Sequence, residues 1–305
     1  MRKCPLCGGS KLTEVLEDRI DYEFGISNKL NYYECNNSAC GFIFANPIPS
    51  IEEIQSFYNK YTTHNENKNI SHLNFLARLN KVFKDKTLSK IFVNTQINDI
   101  KVLDFGCGNG NLLMDLKKLG IKNLYGYDFD AKALHYSKLD GLVLFDNYEQ
   151  IPEHGNFDYI FLNHVIEHLP DAKSVIENLS KVLNHSGKII IRTPNSDSLL
   201  CFLFNDSWRG WETPRHLGIF NYRNIVLLRG SFYIERKWTS NIMFSGIFHE
   251  SIKLNLLTKN FLGKIIKHIL SYFIYTISIF INFLFKKFGE EICIVFIKPA
   301  PNKYN

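Results

Sequence analysis

Between Val102 and Leu116 the chain runs from an apolar, β-branched stretch into an acid, then a glycine-rich turn, then an amphipathic start: Val102-Leu103-Asp104-Phe105-Gly106-Cys107-Gly108-Asn109-Gly110, followed by Asn111-Leu112-Leu113-Met114-Asp115-Leu116. This pattern predicts a strand, a tight loop and a helix N-terminus. In an open α/β sheet that is where a nucleotide-like ligand sits. Gly106 and Gly108 lack a Cβ, so the loop can turn sharply and approach a ligand closely. The spacing is G-x-G-x-G. A dinucleotide fingerprint, G-x-G-x-x-G, would need its third glycine where Asn111 stands.

A second acid narrows the ligand. Leu124-Tyr125-Gly126-Tyr127-Asp128 reads as the next strand and ends in Asp128, about twenty residues past the loop, where a carboxylate can accept hydrogen bonds from ribose hydroxyls. Asp104, Gly106, Gly108 and Asp128 together resemble the cofactor-binding motifs of class I S-adenosylmethionine (SAM) dependent methyltransferases. The resemblance runs over roughly 100–300. It implies SAM as cofactor and a Rossmann-like, seven-stranded α/β sheet in which the last strand inserts antiparallel beside the sixth.

The order of elements fits that expectation. Strands are predicted at 101–105, 123–128, 142–145, 157–163, 187–193, 232–241 and 291–298. Helices are predicted near 109–119, 130–139, 171–183 and 221–230. Alternation of strand and helix implies right-handed crossovers and a parallel sheet. The chain of 305 residues, 45% of them hydrophobic, suffices for one large core plus an appendage.

The appendage is residues 1–48. Cys4-Pro5-Leu6-Cys7 and Cys35-Asn36-Asn37-Ser38-Ala39-Cys40 are spaced as the two halves of a zinc ribbon, in which Cys4, Cys7, Cys35 and Cys40 hold a structural zinc ion. The second half is C-x4-C, wider than the commoner C-x2-C. Met1-Arg2-Lys3-Cys4-Pro5 carries no apolar signal segment, so the seven cysteines are read for a reducing cytoplasm, as metal ligands before disulfides. The net charge of +6 is spread along the chain without an arginine-rich run, so duplex nucleic acid is not implied as a partner.

Residues 49–98 read as linker and lid. Ser50 with Glu53 makes a capping box for a helix through Phe57 and Tyr58. A polar loop at 62–72 and a helix carrying Leu76, Leu79, Val82 and Phe83 follow. Such helices resemble the substrate-side elements preceding the core in this superfamily. Residues 99–305 then form the SAM-binding domain, interrupted at 244–288 by an apolar helical insertion. Within it, 269–285 carries no charge, and Ser271, Tyr275, Ser278 and Asn282 mark a narrow polar stripe opposite a wide apolar face. The run is short for a membrane span. The insertion is read as packing on the core, forming a homodimer, or resting peripherally on the inner face of the membrane.

Two segments carry candidate chemistry. After the fourth strand come Asn163-His164-Val165-Ile166-Glu167-His168. The match to the H-x-x-E-H metalloprotease motif is accidental, since that site needs both histidines on one helix. The fold instead implies Asn163 or His164 on the methionine side of SAM and His168 toward the acceptor, with a turn-stabilising role as the alternative for Glu167 and His168. The loop 205–220 holds Trp208, Arg209, Trp211, Glu212, Arg215 and His216. Tryptophan faces suit sugar stacking and arginines suit a phosphate or carboxylate. The alternative is a small core of the two tryptophans capped by Arg209 and Glu212. Pro214-Arg215-His216-Leu217 resembles a signature of bacterial sugar and surface-glycan methyltransferases.

A hydroxyl acceptor must lose a proton, and a histidine suits that task, so His216 and then His168 are the candidate bases. The expected function is methylation of a small-molecule acceptor, a sugar or glycan intermediate. Two alternatives remain: O-methylation of a quinone or lipid precursor, and a SAM-fold binding module without catalysis.

Overall fold

The computed structural model describes residues 3–21, 29–60, 91–92, 96–97, 99–130, 142–241, 243–244, 247–248, 251 and 261–301. The polar loop expected at 62–72, the helix expected around 76–83 and, past Asp130, the helix expected at 130–139 lie outside these residues.

A seven-stranded sheet forms the centre. Its strands are β4 (Lys101–Phe105), β5 (Asn123–Tyr127), β6 (Val143–Phe145), β7 (Phe157–Asn163), β8 (Leu183–Pro194), β10 (Tyr233–Ser240) and β11 (Glu291–Ile297), in the order β10-β11-β8-β7-β4-β5-β6. β4 through β8 pair in parallel, and β11 lies antiparallel between β8 and β10. This is the Rossmann-like methyltransferase sheet expected from the sequence. The central strands are rich in Val, Leu, Ile and Phe, and most of their residues are buried, because both faces are covered. Strand order reverses between β4 and β7, and the carboxyl ends of β4, β5 and β7 open onto that crevice.

Flanking helices follow their local signals. In α1 (Ile51–Lys60) the Glu53 amide donates to Ser50 Oγ at 3.2 Å and the Ser50 amide to Glu53 Oε2 at 2.8 Å, a reciprocal capping box. α2 (Asn111–Lys118) buries Leu112, Leu113 and Leu116 against the sheet. α3 (Ala172–Val182) starts where Asp171 accepts the Ser174 amide at 3.1 Å. The helix expected at 221–230 is instead a short 3-10 turn at Asn224–Leu228. Asn221 and Asn224 tie up its start through side-chain to backbone bonds that compete with a regular α-turn.

The N-terminal strands β1 (Leu12–Arg19), β2 (Leu30–Cys35) and β3 (Ile43–Ala45) form a second sheet. Its fourth strand, β9 (Gly218–Ile219), comes from the far end of the loop after β8, with Ile43 opposite Ile219 and Phe44 opposite Gly218. Cys4, Leu6, Phe42 and Phe44 share one apolar cluster with Leu103, Ile160, Ile166 and Phe220. The boundary at 48 is thus one of sequence; in space the cysteine module is continuous with the core.

α4 (Leu199–Phe204) leads into the loop, and α5 (Phe261–Phe285) is the insertion's helix, beginning eight residues before the apolar run marked in the sequence.

Candidate active site and cysteine centre

The loop after β4 is fixed from behind. The Gly106 and Cys107 amides both donate to the Tyr127 carbonyl, at 2.7 and 2.9 Å, and the Gly108 amide donates to Asp128 Oδ2 at 2.8 Å. Gly106, Gly108 and Gly110 all have positive φ. At Gly106 the requirement is absolute. With φ +80°, a Cβ there would lie 2.3 Å from Val165 Cγ2.

These residues open onto a cavity of about 870 Å³. Gly106, Gly108, Asp128, Asn163, His164, His168 and His216 all line it. A neighbouring cavity of about 300 Å³ shares Gly106, Asn163 and His164, and Asp104 lines that one. The structure therefore brings every cofactor and catalytic candidate to the two adjoining spaces. Asn163 Oδ1 is buried with no hydrogen-bond partner among the described residues, an acceptor left for a ligand. The carboxylate of Asp128, the close-approach glycines and this acceptor fit an adenosine-bearing cofactor such as SAM.

His164 has a different environment from the one expected of a lining residue. Its φ is +53°, and its amide donates to the Arg192 carbonyl at 2.8 Å. Its Nε2 lies 2.8 Å from Glu291 Oε1 and its Nδ1 3.4 Å from Glu167 Oε1. Burial alone would lower its pKa, but hydrogen bonds and charge from Glu167 and Glu291 dominate and raise it to about 10. Reciprocally, His164 pulls the Glu167 carboxyl down to about 2 against the opposing effect of burial, and Arg192 with His164 does the same for Glu291. Arg192 Nη2 completes the set at 2.6 Å from Glu291 Oε2, and Thr193 Oγ1 donates to Glu167 Oε2 at 3.0 Å. Two cations and two anions balance beneath the cavity floor, joining β7, β8 and β11. Arg192 and Glu291 were not among the sequence candidates. The available signal was an acid, Glu291, opening a strand that is otherwise wholly apolar.

His168 and His216 pair edge to face, with ring centroids 4.7 Å apart. His168 Nδ1 faces the Arg215 carbonyl at 3.0 Å and His216 Nδ1 the Gly210 carbonyl at 2.7 Å. Those acceptors assign the proton of each neutral ring to Nδ1, leaving Nε2 as its basic nitrogen. Burial lowers both pKa values, to about 3 for His168 and about 4 for His216, so both rings are neutral near pH 7. His168 is half-buried, whereas His216 is 3% exposed, with Nε2 3.3 Å from Glu212 Oε2.

The tryptophans do not offer stacking faces. Trp208 and Trp211 are buried, lie edge to face at 5.9 Å, and belong to an apolar cluster with Tyr32, Phe244 and Phe248. Arg209 caps them through Glu212 at 2.9 Å. The sugar-platform expectation for these rings is therefore corrected to the small core that was its alternative: two large aromatic surfaces gain more from mutual burial than from exposure. Arg209, Glu212 and Arg215 do reach the cavity and supply a polar rim; apolar wall comes from Ile51 and Ile54 of α1, from Met243 just before the insertion and from Ile247 within it. Tyr32, which sequence reasoning passed over, braces the rim from the N-terminal sheet: its hydroxyl donates to the His216 carbonyl at 2.9 Å and lies 3.1 Å from Thr213 Oγ1.

The four cysteines converge elsewhere. Cys4 and Cys40 sulfurs are 3.8 Å apart, Cys7 and Cys35 sulfurs 3.5 Å apart, and all four lie within 4.8 Å of one another. All four are free thiols. A zinc ion with bonds of about 2.3 Å places tetrahedral thiolates about 3.8 Å apart, so the donor set fits zinc. Gly9 keeps the approach open, since a Cβ there would sit 3.3 Å from both the Cys7 and Cys35 sulfurs.

A family model described as a methyltransferase domain matches residues 62–229. Among curated proteins, the ubiquinone biosynthesis O-methyltransferase of Colwellia psychrerythraea is 34% identical over 106 residues, covering 32% of this chain and 43% of that protein. The tRNA U34 carboxymethyltransferase of Campylobacter hominis is 31% identical over 101 residues, covering 30% of this chain and 35% of that protein. The matched stretch thus spans less than half of either relative. Among solved structures, magnesium protoporphyrin IX methyltransferase from Synechocystis PCC 6803 with bound SAH is 13% identical, with a TM-score of 0.49, over 80% of this chain and 94% of that one.

Proposed function

From its place in the methyltransferase-domain family, to which this chain belongs, we propose that the protein transfers the methyl group of SAM to a hydroxyl on an amphipathic small molecule with an apolar body. A quinone or lipid precursor fits this reading better than a sugar. The observation that carries it is the cavity wall: beside the cradle of Gly106, Gly108 and Asp128, α1 and the segment after β10 contribute the apolar Ile51, Ile54, Met243 and Ile247, and the charges of the loop after β8 are those of Arg209, Glu212 and Arg215. The ubiquinone O-methyltransferase names among the relatives agree with it. The sugar reading loses its main physical support with the burial of Trp208 and Trp211.

SAM, when bound, supplies a methyl group already activated on a sulfonium. The protein's task is then alignment, exclusion of water and removal of one proton. Asp128 and the glycine loop hold the adenosine end, and Asn163 lines the methionine side with His164. The charged network under His164 fixes the floor. We place proton removal at His168, through Nε2, because both rings line the cavity but His168 is half-buried there whereas His216 is almost fully enclosed. His216, held by the Gly210 carbonyl, positions the rim. This reverses the order taken from sequence. Cys4, Cys7, Cys35 and Cys40 hold a structural zinc that stiffens the sheet bracing that rim.

The test is a paired assay. Calorimetry with S-adenosylhomocysteine should give a one-to-one complex. Methyl transfer from SAM should then be seen with a hydroxylated aromatic carrying an alkyl chain and be absent with nucleotide sugars. Cofactor binding with transfer only to sugars would restore the sugar reading; failure to bind the cofactor would remove the enzyme reading altogether.

A further inference from the structure

α5 is mounted with its polar stripe inward. Thr239 Oγ1 donates to Asn282 Oδ1 at 2.5 Å, Ser278 is fully buried, and the Tyr275 ring lies 5.2 Å from that of Phe244. The consequence is that the apolar face points away from the protein. Phe273 is 62% exposed, Phe280 63%, Phe283 76%, Leu284 54% and Phe285 59%. The patch continues onto α4, which starts beside the end of α5 with the Leu199 amide bonded to the Phe288 carbonyl at 3.3 Å, and there Phe202 is 83% exposed. Aromatic residues at this density on an outer surface mark an interaction site.

Charge selects the partner. No acidic residue occurs from 251 to 289, whereas lysines stand at 253, 259, 264, 267, 286 and 287. Lys264 and Lys267 fall in the first two turns of α5, and exposed Lys286 and Lys287 directly follow its last. A second copy packed helix to helix on α5, parallel or antiparallel, would bring lysine-bearing ends together with no carboxylate of that helix to pair them. An anionic bilayer accepts both the apolar face and the basic ends. Among the described residues no helix is long and apolar enough to cross a membrane, so the helix would lie in the interface.

We propose that α5 and the tip of α4 form a docking surface for anionic lipid bilayers. The same contact orients the active site. Phe244 packs on Tyr275 of α5, and its neighbours Met243 and Ile247 line the large cavity, so the acceptor wall lies directly behind the docking helix. That second point rests on the acceptor reading above; the docking does not.

The experiment is co-sedimentation of the full chain with vesicles of phosphatidylcholine alone and of phosphatidylcholine mixed with phosphatidylglycerol. Binding should require phosphatidylglycerol and weaken in high salt. Phe280→Asp combined with Phe283→Asp should lower the partition by about ten-fold or more, and Lys286→Glu with Lys287→Glu should do so less strongly. Both pairs are exposed, and unchanged S-adenosylhomocysteine affinity verifies their fold. Equal partition of wild type and variants, absence of vesicle binding, or a dimer that the phenylalanine variants dissociate would each overturn the proposal. Each of these outcomes leaves the cofactor result standing, so failure here is distinguishable from failure of the enzyme reading.

Discussion

The proposed cofactor half and the proposed acceptor half of the large cavity are built in opposite ways. The cofactor half comes almost entirely from one stretch, 104–130, where each strand end hands a short loop to the next and the Gly108 amide closes on Asp128 twenty residues later. The acceptor half gathers α1, the turn at Ile166–His168, the loop around Arg209–His216 and the insertion, and it is braced by Tyr32 from the N-terminal sheet. Local backbone geometry makes the first; packing between segments up to 184 residues apart makes the second. The first should therefore fail through single backbone changes, the second through loss of neighbours.

The largest effect is expected at Gly106→Val. The positive φ and the 2.3 Å approach to Val165 leave no room for a branched side chain, so S-adenosylhomocysteine binding should fall below detection in calorimetry. Retained binding would mean that the loop is not the cofactor cradle.

Next comes His168→Ala, with turnover on a hydroxyl acceptor expected to drop roughly 100-fold while cofactor affinity stays near normal. If His216→Ala abolishes turnover and His168→Ala does not, the base is the inner histidine. Asp128→Ala is a smaller change on the other side of the cavity. Losing an ionised acceptor for ribose hydroxyls should weaken SAM binding by about 2 kcal/mol, read by titration.

Metal removal sharpens the comparison further. Elemental analysis should find one zinc per chain. Stripping it with a chelator, or Cys40→Ser, should loosen the sheet that pairs with β9, raising KM for the acceptor several-fold while the Kd for S-adenosylhomocysteine is unchanged. A parallel loss of both affinities would show the two halves to be one cooperative unit.

The smallest expected effect is on stability against pH. His164 is raised to about 10, so its contribution is full below its ordinary value of 6.5 and is lost as pH rises from there through 10. His168 and His216 are lowered, so the unfolded chain takes up protons there first and stability falls as pH drops below 6.5. Tm should peak near pH 6.5, and His164→Gln should flatten the alkaline limb and also alter the acid limb, since Glu167 and Glu291 lose the partner that lowers their pKa.

Much of the proposed site was legible in the sequence because its signals are local. The glycine spacing, Asp128, the capping box at Ser50 and the cysteine pairs each depend on a few consecutive residues. The Trp208–Trp211 loop was misread as a platform because composition does not reveal which way an aromatic face turns. The role of Glu291 was invisible for a related reason. Its partners, His164 and Arg192, are 127 and 99 residues away in the chain.

The sequence by itself determined the element order, the mostly parallel sheet, the glycine turn after β4 and the cysteine pairs that converge, since backbone sterics and side-chain periodicity act over a few residues. Tertiary structure decided which of the two cavity histidines is the more exposed, that the carboxylates of Glu167 and Glu291 raise the pKa of His164, and that α5 turns its polar stripe inward. Those outcomes depend on burial and on charges brought close by folding. A periodic pattern defines two faces of a helix, but only the packed neighbours, Thr239 and Phe244 here, select the one that is covered.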